Sequence, residues 1–129
     1  MAIVARHDTG KRYTATVGDY TIFAGKAHEN PERNAMWPGQ LFIAALGMCM
    51  VGDIVPFCER HDIPTEDVTL ELDVTNAEDP SRAESVAVTI HLPGEVSRSE
   101  QKAIIRAAKQ CYIRQSIINE MEIDISVEQ

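Results

Sequence analysis

The sequence predicts an α+β domain in which antiparallel strands pack with one long helix. Three observations carry that expectation. Residues 41–58, LFIAALGMCMVGDIVPFC, are almost wholly apolar; alternating segments flank them on both sides; and Ser97 with Glu100 marks a helix start. Alternation with a period of two is the mark of a strand, whereas a helix repeats near 3.6 residues. At 129 residues the chain has the size of one domain, expected to span residues 1–129.

A first strand is expected at residues 2–5. Residues 13–17 and 20–23 alternate on either side of Gly18-Asp19, which reads as a hairpin with a two-residue turn. The polar stretch 24–37, AGKAHENPERNAMW, carries turn formers and is expected to be a loop. A helix follows over 38–61, with Pro38 in its first turn, where a missing N–H costs nothing, and with Pro56 expected to kink it. Residues 68–74 (VTLELDV) and 85–92 (SVAVTIHL) form a second hairpin across the polar connector TNAEDPSRAE. Ser97 and Glu100 have the spacing of a capping box for a helix that carries Ala103, Ile104, Ala107 and Ala108 and runs to about Gln110. Beyond Cys111, residues 113–119 read as a short helical piece and 121–127 (MEIDISV) as a last strand.

The long helix extends roughly 33 Å at 1.5 Å per residue and is apolar on every side, so it must be covered all round. A chain this short has little left to wrap it, which predicts an intimate homodimer. The apolar run barely reaches the roughly 18 to 20 residues of a membrane span, and Asp53, Pro56 and two glycines interrupt it. With 12 Lys+Arg against 20 Asp+Glu the net charge is −8, a field that repels phosphate backbones and anionic lipid. Neither nucleic acid nor a membrane is expected as a partner. Three cysteines without a CxxC pair, and an N-terminus with no apolar signal core, point to a reducing, cytoplasmic setting.

The cysteines are the candidate chemical groups, because a thiol becomes a nucleophile when its pKa is depressed and it is accessible. Cys49 lies mid-helix between Met48 and Met50 and, judged alone, reads as a small buried hydrophobe. Cys58, nine positions on, falls half a turn away and reads as structural. Cys111 opens the last helical piece, where unpaired backbone N–H groups favour a thiolate; a core cysteine at a helix junction is the alternative. Cys58 and His61 share a helix face, but His7, His28 and His91 show no ligand spacing, so neither metal nor cofactor is expected.

The pattern Pro38-x-Gln40-Leu41-Phe42-x-Ala44-Ala45-Leu46-Gly47-x-Cys49, followed by strands and then Ala107-Ala108-x-x-Cys111, resembles the OsmC/Ohr family of osmotically inducible and organic hydroperoxide resistance proteins. The resemblance covers the chain from about residue 10. It implies an OsmC-like fold, antiparallel sheets packed around a long central helix in an intertwined homodimer, with both thiols near the dimer interface. It implies a peroxidase in which Cys49 attacks an organic hydroperoxide, Cys111 resolves the sulfenic acid to a disulfide, and a dithiol reductant resets the pair. Met48, Met50, Phe42 and Trp37 would then supply an apolar surround, or else serve as plain core.

Three positions depart from the peroxidases: Gly39 stands where they carry a glutamate that steers an arginine, Tyr112 where a proline commonly follows the later cysteine, and Asp53 one helical turn beyond Cys49. A carboxylate there is expected to raise the thiol pKa; pairing of Asp53 across the dimer is the structural alternative. Arg12 and Arg33 are the candidates for an activating cation, each with a solvated surface role as its alternative. The rival function is a non-catalytic dimer of the same fold that binds a small apolar ligand or senses redox state.

Overall fold

The computed structural model describes residues 2–129. In chain order the elements are β1 (Val4–Thr9), β2 (Lys11–Val17), β3 (Tyr20–Lys26), a single 3-10 turn (Pro31–Arg33), α1 (Pro38–Arg60), β4 (Thr69–Ala77), β5 (Arg82–His91), α2 (Arg98–Lys109) and α3 (Tyr112–Ile118). Among the described residues, two antiparallel sheets and three helices make this an α+β fold, as the sequence pattern predicts. The chain divides into two compact units, one ending at Ala44 and the other starting at Ala45, so the boundary falls within α1.

In the first unit, β1, β2 and β3 form one sheet in that order. Val17 pairs with Tyr20 around Gly18-Asp19, and Gly18 adopts φ +56°, the left-handed backbone a two-residue hairpin turn demands. The first strand is later and longer than expected, because the register Val4↔Thr16 to Thr9↔Arg12 carries the ladder on through Arg6 and His7 to Thr9, with an irregularity at Asp8. The expected loop 24–37 shortens at its start and ends, as expected, before Pro38. β3 continues to Lys26, Gly25 exchanges backbone hydrogen bonds with Met36 and Ala35 at 2.7 and 2.9 Å, and Asn30 caps the 3-10 turn.

In the second unit, β4 and β5 pair from Thr69↔His91 to Ala77↔Arg82. The expected ten-residue connector is mostly strand: its polar residues pair across the hairpin and leave a tight turn at 78–81, closed by the Arg82 guanidinium donating to the Pro80 carbonyl at 2.8 Å. The capping box is formed as expected, with the Glu100 N–H donating to Ser97 Oγ at 3.1 Å and the Ser97 N–H to Glu100 Oε1 at 3.2 Å.

α1 runs unbroken through Pro56 to Arg60. By length and composition it could cross a membrane. One face is instead buried in protein: Leu46, Met50, Ile54 and Cys58, each four residues from the last, meet Ile63, Ile104, Ala108 and Cys111. Leu70 and Leu72 of β4 and Val86, Val88 and Ile90 of β5 flank this core. Gly47 lets α1 approach β4, since a Cβ there would lie 2.8 Å from Leu72 Cδ1. The opposite face is uncovered, with Met48 64% exposed.

The expected last strand is absent. Residues 121–127 take no regular structure, and Ile125 is 90% exposed. A strand needs a neighbour to complete its backbone hydrogen bonds, and among the described residues this segment pairs with no strand.

Candidate functional site

The second unit brings three of the sequence-predicted site residues together. The sulfurs of Cys49 and Cys111 and a carboxylate oxygen of Asp53 all lie within 4.8 Å of one another. The i, i+4 spacing on α1 stacks Asp53 one turn beyond Cys49 on the same face. Cys111 arrives from the junction of α2 and α3, where the backbone turns between Gln110 and Tyr112. The two thiols are free.

Cys111 is fully buried and capped into place. The Arg114 N–H donates to its sulfur at 3.5 Å, making Cys111 the N-cap of α3, and its own S–H has two acceptors to turn to, the Leu46 carbonyl at 3.9 Å and the Cys49 sulfur. Cys49 is half-buried. The two sulfurs differ in acidity. Cys49 is pulled below the ordinary thiol range, chiefly by a hydrogen bond from Cys111 and then by the backbone N–H groups of Ile113 and Tyr112, against opposing contributions from burial and from the Asp53 charge. Cys111 is pushed up, chiefly by burial, with the Arg114 N–H working the other way.

One expectation is corrected here. The N–H groups that open α3 were expected to favour a thiolate at Cys111. They stabilise it at Cys49 instead, because burial dominates at Cys111. Asp53 does raise the Cys49 pKa, as expected, but three hydrogen-bond donors outweigh one partly solvated carboxylate. Among the described residues the Asp53 side chain makes neither a hydrogen bond nor an ion pair.

The two arginine candidates lie in the first unit, where they meet each other at Asp8. Arg12 is buried, forms an ion pair with Asp8 at 2.6 Å and lies over the Phe23 ring at 4.1 Å; Arg33 reaches the same carboxylate oxygen at 3.5 Å. Arg12 is therefore not a solvated surface charge, and its Nε is buried without a hydrogen-bond partner. The carboxylate that both arginines meet is Asp8. Its only signal in the sequence was a position four residues before Arg12, across the turn that joins β1 to β2.

The remaining candidates separate cleanly. Cys58 is fully buried, and burial, followed by the Glu100 charge, raises its pKa. His61 stacks on Phe57 with ring centroids 4.1 Å apart and donates through Nδ1 to the Phe57 carbonyl, so it forms no metal pair with Cys58. Met50 is core, whereas Phe42 and Met48 face outward and Trp37 is partly exposed beside the Lys26 ammonium.

The OsmC-like protein family matches residues 29–126, three quarters of the sequence and both cysteine motifs. The chain belongs to this family. Solved structures share its fold across nearly the whole length. A protein from Psychrobacter arcticus ascribed to the osmotic stress and detoxification response superposes with a TM-score of 0.77 at 22% identity, covering 90% of this chain and 87% of that one. An OsmC-like protein from Mycoplasma pneumoniae gives 0.71 at 16%, over 91% and 86%. The organic hydroperoxide resistance protein OsmC from Legionella pneumophila gives 0.59 at 23%, over 91% and 89%. No curated protein matches the sequence.

Proposed function

We propose that the protein is a thiol-dependent peroxidase that reduces organic hydroperoxides. The single observation that carries this reading is the pair of free thiols within 4.8 Å, one acidified and one held protonated by burial. The acidified sulfur is the better nucleophile at neutral pH, and the protonated one can supply a proton. In this reading the Cys49 thiolate attacks the terminal peroxide oxygen, the O–O bond breaks, and an alcohol leaves after taking a proton. Cys49 becomes a sulfenic acid; the Cys111 thiol condenses with it, releasing water and forming the disulfide. A dithiol reductant then exchanges with the disulfide and is oxidised in its place. The hydroperoxide resistance function borne by the Legionella protein's name supports the substrate class.

Arg12 is proposed, ahead of Arg33, as the cation that stabilises the thiolate and the departing alkoxide. Its burial, its fixed position against Asp8 and Phe23 and its unbonded Nε favour a built role over a surface one. The working form is proposed to be a homodimer in a reducing, cytoplasmic compartment. Support comes from the uncovered apolar face of α1, from the exposed apolar residues of 121–127 and from three unpaired cysteines. The test is Cys111→Ser: a single turnover on an organic hydroperoxide, ending in a sulfenic acid on Cys49 that a dimedone-type probe captures. Continued turnover by this variant would remove Cys111 as the resolving thiol.

One observation favours a second reading, a non-catalytic dimer that binds a small apolar ligand. A groove of about 470 Å³ lies between β5 and α2, lined by Val88, Ile90, Leu92, Val96, Ile104 and Ile105. Steady peroxide consumption with a dithiol reductant separates the two readings, since a binder shows none.

A further inference from the structure

We infer that Cys49, Asp53 and Cys111 form a zinc-binding site of three protein ligands with an open fourth position. The inference goes beyond the peroxidase reading and does not depend on turnover.

Geometry is the first argument. The three donor atoms already lie within 4.8 Å of one another. A tetrahedral zinc with bonds of about 2.3 Å to sulfur and about 2.1 Å to oxygen holds its donors about 3.5 to 3.8 Å apart. Closure therefore asks for no more than about 1.3 Å per pair, within reach of small side-chain rotations. The Cys-x-x-x-Asp spacing on α1 is the i, i+4 arrangement by which a helix offers two ligands to one ion. Cys111, fixed by its capping bond to the Arg114 N–H, supplies the third from a separate element.

Chemistry is the second argument. Two thiolates and a carboxylate are a donor set that zinc accepts and that hard cations such as magnesium do not. Asp53 is half-buried beside two sulfurs and has no partner of its own among the described residues, and a cation would give it one. The Arg114 N–H, which donates to the Cys111 sulfur at 3.5 Å, and the neighbouring N–H groups that open α3 would offset the excess negative charge of a thiolate-ligated ion. Both sulfurs bind as thiolates, so binding displaces the proton of Cys111. The fourth position faces the more open side, where Cys49 and Asp53 are only half-buried, and takes water or a small ligand. Zinc and peroxide compete for the same sulfurs in this arrangement, and the disulfide form cannot hold the ion.

The experiment titrates the fully reduced chain with Zn²⁺ against a chromophoric chelator, in parallel with Co²⁺ followed by absorption. The expected result is one ion per chain and a thiolate-to-cobalt charge-transfer band with the intensity of two sulfur ligands. Binding is lost in Cys49→Ser and Cys111→Ser and is weakened at least about tenfold in Asp53→Asn, while Cys58→Ala binds as wild type does. Far-UV circular dichroism confirms that each variant is folded; should a cysteine variant fail to fold, the wild-type cobalt spectrum and Asp53→Asn decide. No binding by the reduced wild type, full affinity in Asp53→Asn, binding that survives Cys111→Ser, or loss of binding in Cys58→Ala would each overturn the site.

Discussion

Cys49 and Cys58 stand on the same helix, nine residues apart, and have opposite chemistry. Both border one core, but Cys58 is sealed in apolar surroundings that raise its pKa, while Cys49 meets the Cys111 thiol and the N–H groups that open α3. What separates them is the presence of donors. A buried sulfur without hydrogen-bond donors is a packing group, and a half-buried one facing donors is acidified. The difference is thus made by α3, an element more than fifty residues further along the chain.

The comparison breaks most visibly in a pair of serine substitutions. Cys49→Ser is expected to reduce peroxide consumption to the rate without protein. Cys58→Ser is expected to keep the activity and lose about 1–3 kcal/mol of stability by burying a hydroxyl that lacks a partner, as read by denaturant unfolding. Equal loss of activity in both would show that the two thiols are not distinct in kind.

A smaller effect is expected in the pH dependence of alkylation. Cys49 reacts as thiolate, so its rate rises with pH through a midpoint below the ordinary thiol range, whereas Cys58 ionises above that range and stays inert near neutrality. Tyr112→Pro removes one N–H that lowers the Cys49 pKa, yet position 112 is the first residue of α3, where proline is tolerated. The midpoint for Cys49 is expected to move up while the helix content holds. An unchanged midpoint would remove the Tyr112 N–H from the account.

Asp53→Asn works in the opposite direction and more weakly. Its charge is the least of the causes acting on Cys49 and raises the pKa, so its removal should shift the alkylation midpoint slightly down. An upward shift would mean that Asp53 assists the thiolate in a way that charge alone does not describe.

Much of the fold was legible because local chemistry fixes it. Gly18-Asp19 sets a hairpin turn, Ser97 and Glu100 satisfy each other's backbone, and alternation from Leu70 to Leu72 and from Val86 to Ile90 turns the same side chains inward. Residues 121–127 carry the same alternation as β4 yet form no strand, since a pattern specifies which face is apolar and says nothing about who pairs with it. The identity of the two thiols was legible from the family pattern. Their opposite pKa directions were not, because these depend on N–H groups and a burial state that exist only once α3 meets α1. Asp8 escaped notice for the same reason: the folding of β1 onto β2 and the approach of Arg33 from the following loop are what make it a partner for two arginines.

The most direct test is to treat the reduced protein with one equivalent of an alkyl hydroperoxide and map the thiols by mass spectrometry. The account predicts a chain lighter by two hydrogen atoms, with Cys49 joined to Cys111 and Cys58 still free to be alkylated after unfolding. Peptides showing Cys49 and Cys111 both unreacted, or a bridge that includes Cys58, would contradict it.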